Sequence, residues 1–254
     1  MVSSVSQAER IAVVVDGDVA VITISDPDSC NALTLRMWRE LQVAVVDLDA
    51  DPRVKAIVLR GEGADFSSGA NIKELPDDPA AFHEVHLATE RAIARVTKPV
   101  IAAIRGHCVG GGCEIAVAAD LRFADPSAVF GITASRLGIV YPAAPTRRLV
   151  DLVGLGAARR MLYGGELFDA RWAERVGLVT EIVSGDVDAC AVEYARLLAT
   201  RAQSTIRAAK VLTDTDRAEP TAVPCDLRRD YVEGLRAFRE RREPFFPSSM
   251  GPVD

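Results

Sequence analysis

Val100-Ile101-Ala102-Ala103-Ile104-Arg105-Gly106 runs, two residues on, into Val109-Gly110-Gly111-Gly112-Cys113-Glu114 and then the apolar run Ile115–Ala119. The first seven residues are short, apolar and bounded by Pro99 and Gly106, which reads as a buried strand. The triple glycine reads as a loop, and the run after it as a helix from about Cys113 onward. Upstream, Val54–Gly61 reads as a second buried strand and leads into Phe66-Ser67-Ser68-Gly69-Ala70-Asn71. In each case a strand ends in a loop of small residues from which a helix is expected to start. Such a loop exposes bare backbone to a ligand, and the free N–H groups of a helix start attract negative charge. Two loops of this kind can aim two donors at one oxygen, the requirement for an oxyanion hole.

The rest of the chain supplies alternating elements. Ile11–Val15 and Val19–Ser25 flank Asp16-Gly17-Asp18 as a hairpin. Leu35, Trp38, Leu41, Val45 and Leu48 recur at helical spacing, so Thr34–Asp49 is expected as an amphipathic helix. Asp77–Val96 reads as another helix, Arg122–Ala124 and Val179–Val183 as short strands, and Ala189–Arg242 as nearly all helical. Strands alternating with helices, followed by a helical tail, imply a layered α/β core with a helical appendage. The strand–loop–helix unit occurs at least twice, which suggests a spiral of repeats.

Composition narrows the class. The 254 residues carry a net charge of −6 with no basic stripe, which argues against a nucleic-acid partner. No apolar run is long enough for a membrane helix, and Met1–Arg10 lacks the basic start and apolar run of a secretion signal. Five scattered cysteines give an odd count and no disulfide framework, so a reduced, cytoplasmic protein is expected. Phosphate loops are excluded because no Gly-Lys-Ser/Thr follows the glycines, and Gly61-Glu62-Gly63 lacks the third glycine of a dinucleotide fingerprint. There is no Gly-x-Ser-x-Gly elbow, and no second Cys or His pair joins Cys108 and Cys113 in a metal site. The plain alternative for the triple glycine is close helix–strand packing.

Asn31-Ala32-Leu33, Phe66–Lys73, His107–Asp120 and Glu233–Phe245 together make the chain resemble the crotonase superfamily, the enoyl-CoA hydratase/isomerase group. The likeness implies an α/β fold, the crotonase-type spiral of ββα repeats. Residues 1–188 would form the core with an acyl-CoA site, and residues 189–254 a helical oligomerisation region building a homotrimer or a dimer of trimers. It also implies that the N–H groups of Ala70 and Gly111 bind the thioester oxygen of an acyl-CoA. Donors fixed on an enolate oxygen lower such barriers by roughly 3–4 kcal/mol each. Coenzyme A would be part of the substrate, with no permanently bound cofactor and no metal. Glu114, in the first turn of the glycine-loop helix, matches one of the two catalytic glutamates of hydratases. Its plain alternative is an ordinary carboxylate favouring the helix dipole.

The chain departs from the hydratase pattern at Phe130-Gly131-Ile132-Thr133-Ala134, where the second glutamate is replaced by Ala134. A hydratase uses two acid–base groups, one on water and one on carbon, so net hydration is placed in doubt. Thr133 and Tyr141 instead resemble pocket residues of decarboxylating members, although a histidine those members can carry on the oxyanion side is Ala70 here. Three readings follow: a hydratase/isomerase of fatty-acyl metabolism, a decarboxylase of a malonyl-type thioester, or a catalytically weak acyl-CoA binding protein. For the CoA moiety, the resemblance assigns Ser68, Ala70 and Ile72 to the adenine pocket, Lys73 to the nucleotide, and Phe238 and Arg241 to a closing aromatic and cation, often from a neighbouring subunit. His83 and His86 read as a solvated helix face, and His107 has no assigned role.

Overall fold

In the computed structural model, residues 10–75, 79–213 and 227–247 are described, and they form nine strands and eight α-helices. A hairpin of β1 (Arg10–Asp16) and β2 (Val19–Ser25) opens the chain, followed by α1 (Leu35–Ala50), β3 (Ala56–Gly61) and α2 (Pro79–Arg95). Next come β4 (Val100–Ile104), β5 (His107–Val109), α3 (Gly111–Ala118), β6 (Leu121–Ala124), β7 (Val129–Gly131) and α4 (Ala143–Gly164). The chain continues through β8 (Leu167–Asp169), α5 (Ala170–Arg175), β9 (Glu181–Ile182), α6 (Val187–Ala199), α7 (Gln203–Thr213) and α8 (Leu227–Glu240).

Six strands form one sheet in the order β1-β2-β3-β4-β6-β9, parallel throughout except for the β1–β2 hairpin. A parallel sheet needs cover on both faces, because its crossovers place helices there. The period-two alternation of side chains supplies two cores. Ile57, Leu59, Ala102 and Ile104 face Met37, Trp38, Leu41 and Val45 of α1, while Ala56, Val58, Ile101 and Ala103 face Val187, Ala191 and Ala195 of α6. Of the helical tail expected from residue 189 onward, the first helix therefore forms a layer of the core itself.

The second layer explains the spiral. β5, β7 and β8 form a small sheet, extended by single bridges from Ser67 to Cys108 and from Leu33 to Ala70. Three large-sheet strands are each followed by a short segment in this second layer and then a helix: β3 by Ser67–Ala70 and α2, β4 by β5 and α3, β6 by β7 and α4. The stretch expected as one strand over Val100–Gly106 and the loop after it is thus two elements. Gly106, at φ 51°, turns the chain between them, and a Cβ there would sit 2.3 Å from the Ala64 carbonyl oxygen. The expected helix start after the first loop is also corrected. A single 3-10 turn over Ile72–Glu74 follows, and the helix begins only at Pro79.

The two loops meet where side chains are smallest. A Cβ on Gly112 would lie 2.3 Å from the Ser67 carbonyl oxygen, a distance no real methyl group tolerates. Close packing is therefore a true property of the triple glycine. Gly112→Ala should destabilise the protein by at least about 2 kcal/mol, because the backbone of Ser67 must shift to admit the methyl group. Denaturant unfolding checks this, and a variant within 0.5 kcal/mol of the parent would contradict the packing described (about the scatter of neutral substitutions).

Candidate active site

The first loop is anchored from outside its own segment. Asn31 is fully buried at φ 55°, a conformation asparagine tolerates better than most residues. Its Oδ1 accepts from the Asp26 N–H at 2.9 Å, and its Nδ2 donates to the carbonyls of Glu62 at 2.9 Å and Asp65 at 2.7 Å. Ser67 Oγ donates to the Asn31 carbonyl at 2.8 Å and accepts from the Gly69 N–H at 3.1 Å. Leu33 then bridges the loop in parallel fashion: its N–H donates to Gly69 at 2.7 Å, and its carbonyl accepts from the Asn71 N–H at 2.9 Å. The residue between two such partners turns its own N–H to the other side. Ala70 is that residue, and its N–H faces the second loop, where a Cβ on Gly111 would lie 3.5 Å from the Ala70 nitrogen.

Gly110, at φ 56° and ψ −123°, swings the chain into α3. Its N–H donates to the Gly131 carbonyl at 2.8 Å, and Gly111 becomes the first helical residue, two positions earlier than expected. First-turn N–H groups have no acceptor inside a helix and lie at its positive end. The indole of Trp38 packs beneath: a Cβ on Gly111 would meet its Cζ2 at 2.9 Å. The other end of α3 is closed by Arg122, whose buried guanidinium donates to the carbonyls of Ala116 at 3.1 Å, Ala119 at 2.7 Å and Leu178 at 2.6 Å. Burial pulls the Arg122 pKa down to about 10, yet the group remains a cation at neutral pH and complements the helix C-terminus.

A cavity of about 190 Å³ opens between the loops, α2, and the segment from Ile132 to Pro142. Ser68, Ala70, Ile72, Gly111, Glu114, Thr133, Ala134 and Tyr141 all line it, so the residues expected to do the chemistry are brought together. Ile132, Leu137, Ile139, Val140 and Phe82 make most of the rest apolar, which strengthens electrostatic interactions inside. Glu114 is 1% exposed, and neither carboxylate oxygen has a hydrogen-bond partner among the described residues. The Tyr141 hydroxyl is likewise buried and unpartnered. Burial, and then the negative charge of Glu114, push its phenol well above the usual tyrosine range, so it stays protonated.

Neither α2 histidine lies on the solvated face expected for it; His83 is half-buried and lines the cavity. His86 is buried, not on a solvated face, and its Nε2 lies 3.2 Å from Glu114 Oε2, within ion-pair range but outside hydrogen-bond alignment. Phe82 stacks on its ring at 5.2 Å between centroids, and Trp38 meets it edge-on at 4.7 Å. Phe82, His86 and Glu90 are spaced four apart on α2, so one helix stripe faces the site. That spacing was the available signal, obscured because the stripe mixes an aromatic, an imidazole and a carboxylate.

Behind His86, Glu90 is 1% exposed and ion-paired with Arg148 of α4. Burial is the largest influence on it and the charge of Glu114 adds to this, with Arg148 opposing; the net effect raises its pKa from 4.5 to about 7. Lys73 sits exposed in the 3-10 turn beside the cavity without lining it, and Phe238 and Arg241 do not line it either; Phe238 is 83% exposed on α8. Away from the cavity, Cys30, Asp65 and His107 place potential ligand atoms within 4.8 Å of one another. The Asp65 carboxylate there already accepts from both the backbone N–H and the ring of His107, at 2.8 and 2.7 Å.

The Glu90 shift has a definite sign. A carboxyl whose folded pKa is raised favours the fold fully below the unfolded value and loses that contribution as pH rises through the folded one. Stability should therefore fall between pH 4.5 and about 7, by up to about 3 kcal/mol from this group. Glu90→Gln should flatten that part of the curve in thermal melts taken across the range, and an unchanged slope would contradict the assignment.

Comparison with known proteins agrees with this architecture. The family model described as enoyl-CoA hydratase/isomerase matches residues 15–249. A probable enoyl-CoA hydratase of Mycobacterium bovis is 33% identical over 251 residues, covering 94% of this chain and 98% of its own length. A crotonyl-CoA hydratase of Syntrophomonas wolfei is 32% identical over 256 residues, with 94% and 98% covered. Among solved structures, an enoyl-CoA hydratase/isomerase family protein from Hyphomonas neptunium superimposes with a TM-score of 0.86 at 36% identity, covering 94% of this chain and 97% of that one. With a matching fold, a matching family model and full-length relatives, the chain is a crotonase-fold member of the enoyl-CoA hydratase/isomerase family.

Proposed function

We propose that the protein acts on acyl-CoA thioesters through an enolate. The N–H groups of Ala70 and Gly111 hold the thioester oxygen, and Glu114 exchanges protons with the acyl chain or with water. The observation that carries this reading is Glu114 itself: a buried carboxylate with neither oxygen hydrogen-bonded among the described residues, in the cavity that the two loops border. As the α-carbon becomes carbanion-like, negative charge moves to the thioester oxygen, where fixed donors stabilise it more than they stabilise the ground state. Such an arrangement serves hydration and double-bond isomerisation alike, within fatty-acyl metabolism.

Glu114 is the sole carboxylate among the described residues lining the cavity, and Ala134 contributes only a methyl group where a second acid would stand. The unpartnered Tyr141 hydroxyl and the adjacent Thr133 favour one further reading, loss of CO₂ from a malonyl-type thioester, with the hydroxyl groups orienting the departing carboxylate. Ser68, Ala70 and Ile72 are assigned to the CoA moiety together with Lys73. Phe238 and Arg241 would reach it from a neighbouring copy in a homotrimer or a dimer of trimers. The exposed apolar residues Tyr231, Val232, Leu235 and Phe238 on α8 support such an assembly. The four described cysteines are free, which supports a reduced, cytoplasmic setting.

Mass spectrometry of products from a panel of enoyl-, 3-hydroxyacyl- and malonyl-type CoA esters tests the reading. Water gained or lost, or a shifted double bond, is the expected outcome, and release of CO₂ would promote Thr133 and Tyr141 instead. Glu114→Gln should lower hydratase or isomerase turnover by about 10²- to 10³-fold while leaving CoA-ester affinity nearly unchanged. Retained turnover in that variant would show that Glu114 does not carry the proton transfer.

A further inference from the structure

The geometry points to His86 as the second acid–base group of the site, paired with Glu114 and doing the work for which position 134 supplies no carboxyl group. This inference rests on the enolate reading above. Three observations carry it. His86 Nε2 is 3.2 Å from Glu114 Oε2, and both side chains line the same cavity. Its ring is fixed by the stacked Phe82 and the edge-on Trp38, so its direction is set before any ligand arrives. Titratable groups stand near it on several elements: His83 and Glu90 on its own helix, Glu114 on α3, Arg148 on α4 paired with Glu90, and the protonated Tyr141 hydroxyl beside the cavity. Arg148 is paired with Glu90, and Glu114 is the carboxylate within ion-pair distance of the His86 ring.

The pair completes a balanced hydration. Glu114 takes a proton from water as the water oxygen bonds to the β-carbon. The π electrons of the double bond move onto the thioester, and the enolate oxygen forms against the Ala70 and Gly111 N–H groups. The imidazolium of His86 then gives its proton to the α-carbon as the enolate collapses to the thioester. Glu114, now protonated, returns its proton to His86 across the 3.2 Å gap, restoring both groups. Over the cycle one hydrogen of water reaches the α-carbon and its hydroxyl the β-carbon, with no outside acid required.

His86→Gln is the test, since glutamine keeps volume and a donor but cannot carry the proton. Hydration of a short enoyl-CoA should fall by about 10²-fold or more, with affinity for the saturated ester changed by less than about threefold (under 0.7 kcal/mol at 1.4 kcal/mol per tenfold). Turnover within about threefold of the parent, in a folded variant, would overturn the role of His86. A parent protein that neither hydrates enoyl-CoA nor exchanges the α-hydrogens of a saturated acyl-CoA with D₂O would overturn the enolate reading and this inference with it. Exchange without hydration in the parent would overturn the His86 inference alone. Should the variant not fold, the chain's 3 histidines make the imidazole resonances of the parent assignable. One of them, from the ring nearest Phe82, should titrate with the same midpoint as kcat/KM for hydration; a His86 midpoint unrelated to the rate profile would contradict the assignment.

Discussion

A single backbone bridge governs the site. Because Leu33 pairs with the residues on either side of Ala70, the Ala70 N–H is left to face the opposite way, into the space shared with Gly111. A backbone N–H is held in one direction only when the surrounding structure over-determines it. Asn31 and Ser67 provide that constraint on one side, and the absence of a Cβ at Gly111 and Gly112 provides it on the other. The donor pair is therefore an outcome of packing between consecutive turns of the spiral. For the proposed enolate chemistry, the reorganisation of this pair would already be complete on folding.

The same packing sets the electrostatics. α3 presents its positive end to the cavity, while Arg122 neutralises its other end within the core. Glu114 stands in the first turn of that helix with neither oxygen hydrogen-bonded and Oε2 3.2 Å from His86 Nε2, and the walls around it are largely apolar. The cluster of His86, Glu90 and Arg148 behind it places compensating charge on two further helices, so that no single element carries the whole cost of burial.

Much of this was legible in the sequence, for identifiable reasons. The near-continuous apolar runs in Ala56–Gly61 and Val100–Ile104 betray strands buried on both faces, and the two small-residue loops betray close backbone approach. The apolar stripe of α1 likewise follows directly from residue type; Thr34, expected as its first residue, is instead its cap, with Oγ1 accepting from the Met37 N–H at 3.2 Å. Other features were hidden. The break between β4 and β5 depends on Gly106 fitting against Ala64, a contact from a distant turn. β8, three residues long, exists only because β7 offers it an edge. The inward stripe of α2 was missed because polarity was read as solvent exposure; His86 and Glu90 are buried by their partners, which lie on α3 and α4. Arg122 escaped notice for the same reason, its acceptors being helix-end carbonyls that no local pattern reveals.

The central claim is that the Ala70 and Gly111 N–H groups prefer an enolate oxygen to a neutral carbonyl. Binding of acetoacetyl-CoA, followed by its ultraviolet absorption, tests that preference without any turnover, because its keto and enolate forms have distinct bands. The account predicts that the enolate band grows on addition of protein at a pH where the free ligand is mostly keto, and saturates with the binding curve. Saturable binding with the ligand remaining keto would contradict it, since the two donors would then be holding a carbonyl without favouring the charge on which the proposed chemistry depends.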